Sequence, residues 1–86
     1  MLVMCRGNGT VAASLGHDKY GSPSLKLDDD HAKLRAWLYV NCRVGAANLI
    51  LADRGGQYRT VLGVDRDDKA SLLLRDADGK AAWSAP

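Results

Sequence analysis

The chain has 86 residues, with 12 Lys and Arg against 10 acidic residues, all of them Asp, and a net charge of +2. A chain of this length builds one small core at most, which excludes a multidomain protein and favours self-association as a supplement. The near balance of charge argues against nucleic acid as a principal partner.

No apolar run is long enough for a membrane span or a secretory segment, so we expect no membrane association and a cytoplasmic location. Cys5 and Cys42 are then free thiols, expected to pack as small apolar residues.

The chain contains an internal duplication. Residues 2–39 align with residues 49–86 at an offset of 47, without a gap, and ten of the 38 pairs are identical. Offsets of 24 and 23 divide each half again, so the sequence predicts four copies of a unit of 23 or 24 residues. We expect one domain over residues 1–86, with units at about residues 2–24, 25–48, 49–71 and 72–86.

Each unit reads as a β-hairpin. Its first arm alternates, as in Leu49-Ile50-Leu51, which places every second residue on the same face of a strand. A tight turn follows, with Asp or Asn in the bend and a glycine last; the predicted turn glycines are Gly9, Gly56 and Gly79. The second arm alternates again, and a second polar bend leads to the next unit.

The second unit departs from this pattern. Its turn at residues 29–32 ends on Ala32 where the other units have glycine, so we expect a different turn type there. Its exit carries an extra residue, which predicts a looser loop at residues 41–47.

No stretch has apolar residues at helical spacing over three turns, so the predicted class is all-β. Four tandem hairpins could form a curled meander, a small closed barrel, or a stack of hairpins completed in an oligomer. The sequence period leaves these alternatives open.

Simple alternation predicts which side of the strands forms the core. The predicted core residues are Leu2, Met4, Val11, Leu15, Leu25, Leu27, Leu34, Leu38, Leu49, Leu51, Tyr58, Leu62, Val64, Leu72, Leu74 and Trp83. The other side mixes charges with a second apolar set, and the chain is too short to cover both sides. We therefore expect this second set to be a subunit interface: Val3, Trp37, Tyr39, Ile50, Val61 and Leu73.

Catalytic and metal chemistry find little support in the residue pattern. His17 and His31 have no neighbouring nucleophile in a recognisable setting, so we interpret them as solvated loop residues. The bend from Asp65 does not fit a calcium loop, because Lys69 stands at a ligand position. The five aromatic residues do not recur at equivalent repeat positions, which disfavours a stacking platform. We expect no catalytic residue, no metal and no cofactor.

The unit, written Ser-Leu-x-Leu-x-Asp-x-Asp-Gly-Lys and then x-Val-Leu-Gly-Val-Asp, resembles a repeat of uncharacterised bacterial proteins. It is also similar to the Asp-Gly hairpin repeats of some phage tail and fibre-like proteins, and the terminal Trp83-Ser84-Ala85-Pro86 resembles the ending of several such bacterial chains. As a compact, free-standing repeat protein, the chain further resembles the products of orphan reading frames in mobile gene cassettes. The resemblance implies an all-β repeat fold and no known activity.

Three functions remain in order of preference. The first is a non-enzymatic, self-associating β-repeat module that binds another protein or scaffolds an assembly. The second is a small-ligand binding protein with a pocket in the concavity of the sheet or at a subunit boundary. An enzyme is third.

Overall fold

The computed structural model describes residues 1–85, which form eight β-strands and no helix. The strands are β1 (Leu2–Cys5), β2 (Val11–His17), β3 (Pro23–Asp28), β4 (Leu34–Asn41), β5 (Ala46–Ala52), β6 (Tyr58–Val64), β7 (Ala70–Arg75) and β8 (Ala81–Ala85). Each strand lies where the sequence alternates, so the prediction of an all-β chain is confirmed.

The strands pair in chain order, and every pair is antiparallel. The result is one open meander whose edges are β1 and β8, so the predicted meander is confirmed and the closed barrel is wrong. The sheet measures 41 × 32 × 13 Å, and its smallest dimension corresponds to a single layer.

Five of the connections share one turn, led by an aspartate: Asp18, Asp29, Asp53, Asp65 and Asp76. In each, the backbone N–H of the fourth residue donates to the aspartate carbonyl, and the aspartate N–H donates to the carbonyl of the fifth residue. One carboxylate oxygen of the aspartate accepts from the third and fifth N–H groups. A short carboxylate can bond its own turn in this way, so aspartate defines the bend.

The fourth turn residue has a positive φ, which explains the predicted glycines. Gly9, Gly56 and Gly79 have φ values of 87°, 90° and 82°. Ala32 occupies the same position with φ 62°, inside the turn led by Asp29. The expectation of a different turn type at residues 29–32 is therefore wrong, because the turn led by Asp29 has the same hydrogen bonds and positive φ as the others, with alanine in a position that Asp68 fills in the turn led by Asp65.

The connection between β4 and β5 differs from the other turns, as the extra residue at the exit of the second unit predicts. Here the N–H of Gly45 donates to the carbonyl of Asn41 at 2.8 Å, which closes a wider turn than the others. This connection is compact rather than loose, because β5 already begins at Ala46.

A shift of register follows the first arm of every hairpin. These shifts lie at Met4/Cys5, Leu27/Asp28, Leu51/Ala52 and Leu74/Arg75. They recur at the interval of the predicted unit and increase the local twist of the sheet.

The register sorts the side chains into rows across the sheet, because residues directly opposite in a pair share a face. One face, called here the leucine face, carries two long rows. The first row is Leu2, Leu15, Leu25, Leu38, Leu49, Leu62, Leu72 and Ala85, and the second is Met4, Ala13, Leu27, Ala36, Leu51, Thr60, Leu74 and Trp83. The opposite face, called the tryptophan face, carries the row Val3, Ser14, Lys26, Trp37, Ile50, Val61, Leu73 and Ser84.

The leucine face, predicted to be the core, is exposed. Leu38 and Leu62 are 49% and 47% exposed, whereas the buried hydrophobic residues, Ile50 and Ala52, lie on the tryptophan face. A single layer leaves both faces without a second layer, but the long side chains of the tryptophan face partly cover their own neighbours, so the leucine face is the more exposed of the two. The core prediction is therefore wrong for the single chain.

Candidate functional site: an uncovered apolar sheet face

The leucine face is a continuous apolar surface with a regular relief. Its first row is leucine on seven successive strands, ending in Ala85 on β8. In its second row, large side chains alternate with small ones from β1 to β6, as with Leu27 between Ala13 and Ala36. Soluble monomeric proteins rarely expose an apolar patch of this extent.

The solvent-accessible surface area shows how much of the chain is not buried by other residues. It amounts to 6146 Å² for a chain of 9.2 kDa. A folded monomer of this mass exposes about 4,900 Å². The excess of about 1,200 Å² is comparable to the area of about 800 Å² that each partner buries in a standard protein–protein interface.

Two hollows of about 370 Å³ each lie on the leucine face. One is lined by residues that include Leu38, Leu49 and Leu62, and it lies above the small residues Ala47 and Ala70. The other lies near the β1 edge, between Leu2, Met4, Leu15 and Leu25. Their lining is almost wholly apolar, so they suit aliphatic side chains or an apolar ligand; the ligand-binding alternative stays a prediction.

The tryptophan face is organised by one aromatic pair. The ring centroids of Trp37 and Tyr39 are 4.4 Å apart, and the Lys26 ammonium lies 5.3 Å from the centre of the Trp37 ring. The indole Nε1 of Trp37 is buried without a hydrogen-bond partner among the described residues. These contacts partly bury the centre of this face and leave Ile50 only 6% exposed.

The residues predicted as a subunit interface lie together on the tryptophan face. Val3, Trp37, Ile50, Val61 and Leu73 share one row, and Tyr39 lies two positions beyond Trp37. Val3 is exposed, Ile50 is buried, and the other four are half-buried. Their role as an interface stays a prediction, while the larger uncovered apolar area lies on the opposite face.

Arginine side chains bridge neighbouring hairpins at one end of the sheet. The Nε of Arg35 donates to the carbonyl of Ala52 at 2.7 Å, and the Nε of Arg59 donates to that of Arg75 at 2.8 Å. Arg6 reaches the equivalent carbonyl of Asp28 at 2.6 Å through its guanidinium group. Each acceptor follows a register shift, where the ladder is interrupted, so the arginines satisfy carbonyls next to those shifts.

Two turn aspartates carry lowered pKa values. The backbone N–H of Lys33 is the main cause for Asp29, and that of Gln57 is the main cause for Asp53. Arg35 and Arg59 add attraction, with N–O distances of 3.7 and 3.5 Å to the two carboxylates. Both carboxyl groups are therefore held in the charged form that the turn needs.

The two histidines and the two cysteines are exposed and lie apart from one another. The Nδ1 of His17 is 2.9 Å from the carbonyl oxygen of Asp18, and the Nε2 of His31 is 3.7 Å from the carboxylate of Asp30. Within residues 1–85 no three His, Cys, Asp or Glu side chains come close enough to hold a metal. Cys5 and Cys42 are exposed free thiols, so their predicted burial is wrong, because Cys5 lies on an edge strand and Cys42 in a turn.

No protein-family model matches the chain, and no curated protein matches it. No helix in the described part of the chain is long and apolar enough to cross a membrane.

Sequence reasoning found the residues of the leucine face but assigned them to the core. Alternation predicts that Leu38 and Leu62 share a face, and it carries no information on whether another layer covers that face. The signal that alternation does not use is the amount of apolar surface on each face. A single layer of eight strands leaves the face with the larger apolar set exposed.

Proposed function

We propose that this protein is a non-enzymatic, self-associating β-sheet module whose leucine face packs against the leucine face of a second copy. The observation that carries the proposal is the uncovered face itself, with an accessible surface about 1,200 Å² above that of a globular monomer. Covering it with a second sheet produces a sandwich, the usual way in which a sheet with one apolar face is stabilised.

The relief of the face supports a second copy as the occupant. Ala13 and Ala36 are small residues on either side of Leu27 in the second row, so the surface is lower beside this leucine. In an isologous pair both partners present the same relief, so projecting leucines can pack against the lower surface opposite them. Side chains that interdigitate in this way fill the space between two sheets about 10 Å apart.

The scarcity of buried side chains supports association as a condition for stability. Ile50 and Ala52 are the buried hydrophobic residues of the described chain. Hydrophobic burial contributes about 25 cal/mol per Å² of apolar area, so covering the exposed leucine side chains on each copy stabilises the folded state.

We propose also that the sheet is built from four copies of one hairpin unit. The recurring register shifts and the recurring aspartate turns support this division. A scaffold of this kind presents the same surface on each successive hairpin.

Light scattering coupled to size exclusion tests the proposal at 1–100 µM protein. We expect a mass that is a multiple of 9.2 kDa and a thermal midpoint that rises with concentration, because association stabilises the folded chain. A monomer mass with a midpoint independent of concentration would refute self-association.

A charge on the leucine face tests which surface associates. Leu62→Glu places a carboxylate in the first row and should raise the dissociation constant at least tenfold, which corresponds to about 1.4 kcal/mol. Ser71→Glu is the matched control, because Ser71 is exposed on the opposite face of the adjacent strand. Equal effects of the two variants, with circular dichroism showing that both are folded, would rule out the leucine face.

A further inference from the structure

We propose that the two open edges of the sheet pair with each other between copies, so that β8 of one molecule binds β1 of the next and the meander continues across the junction. This contact uses the edge of the sheet, and it does not depend on what covers the leucine face.

Strand direction makes this pairing possible. The sheet has an even number of antiparallel strands in chain order, so β1 and β8 run in opposite directions. A second copy placed beside β8 in the same orientation therefore presents its β1 antiparallel to β8. The new pair has the same sense as the pairs β2–β3, β4–β5 and β6–β7 inside the molecule.

The register of the internal junctions specifies the register at the edge. Inside the sheet, one hairpin meets the next with leucine opposite leucine, as in Leu38 with Leu49 and Leu62 with Leu72. The corresponding edge residues are Ala85 on β8 and Leu2 on β1. Pairing them places Ser84 opposite Val3 of the next copy, and the first row of the leucine face then runs on without a step.

Both edge strands lack two of the usual protections against strand addition, charged side chains and proline. β1 is Leu-Val-Met-Cys and β8 is Ala-Ala-Trp-Ser-Ala, so neither contains a charged residue or a proline. Soluble proteins usually place such residues on exposed edges to prevent pairing with another chain. Leu2 and Trp83 are also 69% and 52% exposed at these edges, and a neighbouring strand would cover part of each.

The junction should be weaker than those within the chain. Arg35 and Arg59 each bridge one hairpin to the next through a backbone carbonyl. Ala82 occupies the position on β8 that corresponds to Arg59 on β6, so the edge contact lacks this bridge. We therefore expect a reversible contact that a covalent trap can capture.

Disulfide trapping tests the contact and its register. The variant Val3→Cys/Ser84→Cys, with Cys5 and Cys42 changed to serine, brings the two new thiols within disulfide distance only across the junction. Within one molecule these residues lie on opposite edges of the sheet, seven strand spacings or about 34 Å apart. Mild oxidation at 50 µM should therefore give a ladder of linked species on a non-reducing gel.

The control variant Val3→Cys/Ala82→Cys shifts one thiol two residues along β8 and should give at least tenfold less ladder. The single variants Val3→Cys and Ser84→Cys should give no linked dimer, because like edges do not meet. Absence of the ladder, equal ladders in both double variants, or efficient dimers of a single variant would each overturn the proposal. The result is independent of the Leu62→Glu experiment, so edge pairing and face packing can fail separately.

Discussion

Ala32 is an alanine in a turn position that glycine occupies in the first, second, fifth and seventh connections, and replacing it with glycine should stabilise the protein. Its φ of 62° lies in the left-handed region, whereas Gly9, Gly56 and Gly79 adopt this region without a side chain. A Cβ added at any of these three glycines would meet nothing within 4 Å. The strain of a side chain at this position is therefore conformational and does not come from a clash.

Two opposing terms determine the magnitude. Left-handed backbone costs an L-residue about 1–2 kcal/mol. Glycine increases the entropy of the unfolded chain and so costs about 0.5–1 kcal/mol relative to alanine. Ala32→Gly should therefore raise the free energy of unfolding by about 0.5–1 kcal/mol. For a domain of this size the melting temperature rises by about 2–8 °C.

Thermal and urea unfolding, followed by circular dichroism at one fixed protein concentration, measure this change. Ala77→Gly is the matched control, because Ala77 lies in the turn led by Asp76 and is not among the residues with positive φ. In this control only the entropic term changes, so its free energy of unfolding should fall by about 0.5–1 kcal/mol. If Ala32→Gly lowered stability as much as the control, the assignment of strain to Ala32 would be refuted.

Three further predictions concern single side chains. Gly63→Ala should lower the free energy of unfolding in urea by about 1–3 kcal/mol, because the new Cβ would collide with the side chain of Asn48. Arg59→Lys keeps the charge but loses the Nε donor to the carbonyl of Arg75, and it should lower the same quantity by about 0.5–1.5 kcal/mol. Asp53 has a folded-state pKa below 3.8, so its contribution to stability is present above that pH and is lost as the pH falls through the lowered pKa. In an acid titration Asp53→Asn should therefore lose less stability below about pH 4 than the native chain does.

Each of these variants has a control in an exposed turn. Gly7→Ala adds a Cβ that meets nothing within 4 Å at a residue without positive φ, so it should raise the free energy of unfolding by about 0.4–1 kcal/mol through the entropic term alone. Arg54→Lys changes an exposed turn residue and should also be neutral. Asp78→Asn changes an exposed turn aspartate whose carboxylate accepts no hydrogen bond within residues 1–85, so it serves as the control for Asp53→Asn. If a control changed the stability in the same direction and by as much as its test variant, the structural reason for that prediction would be refuted.

The strands and most turns could be predicted because their causes are local. Alternation at Leu49 and Leu51 specifies a strand, and an aspartate followed by a glycine three residues later specifies the turn. The turn at Ala32 was mispredicted because glycine was treated as the deciding residue. The hydrogen bonds of Asp29 to the N–H groups of His31 and Lys33 show that the aspartate decides the geometry.

The identity of the exposed face could not be predicted because its cause is not local. The rows through Leu38 and through Trp37 both read as apolar in the sequence. Which of them lacks a cover depends on the number of layers in the finished molecule and on the area that each side chain covers. The pairing of Trp37 with Tyr39 at 4.4 Å partly covers one face and leaves the other open.

The meander joins each strand only to its neighbours in the chain, and this has a consequence for how the molecule opens. Every pairing closes a short loop, so the sheet can grow from any hairpin without waiting for a distant segment. Opening should start at the outer strands and move inward, with amide hydrogens exchanging fastest in β1 and β8 and slowest in β4 and β5. Anything that attaches to an outer strand then slows exchange along the whole sheet, because it blocks one of the two ends from which the sheet frays.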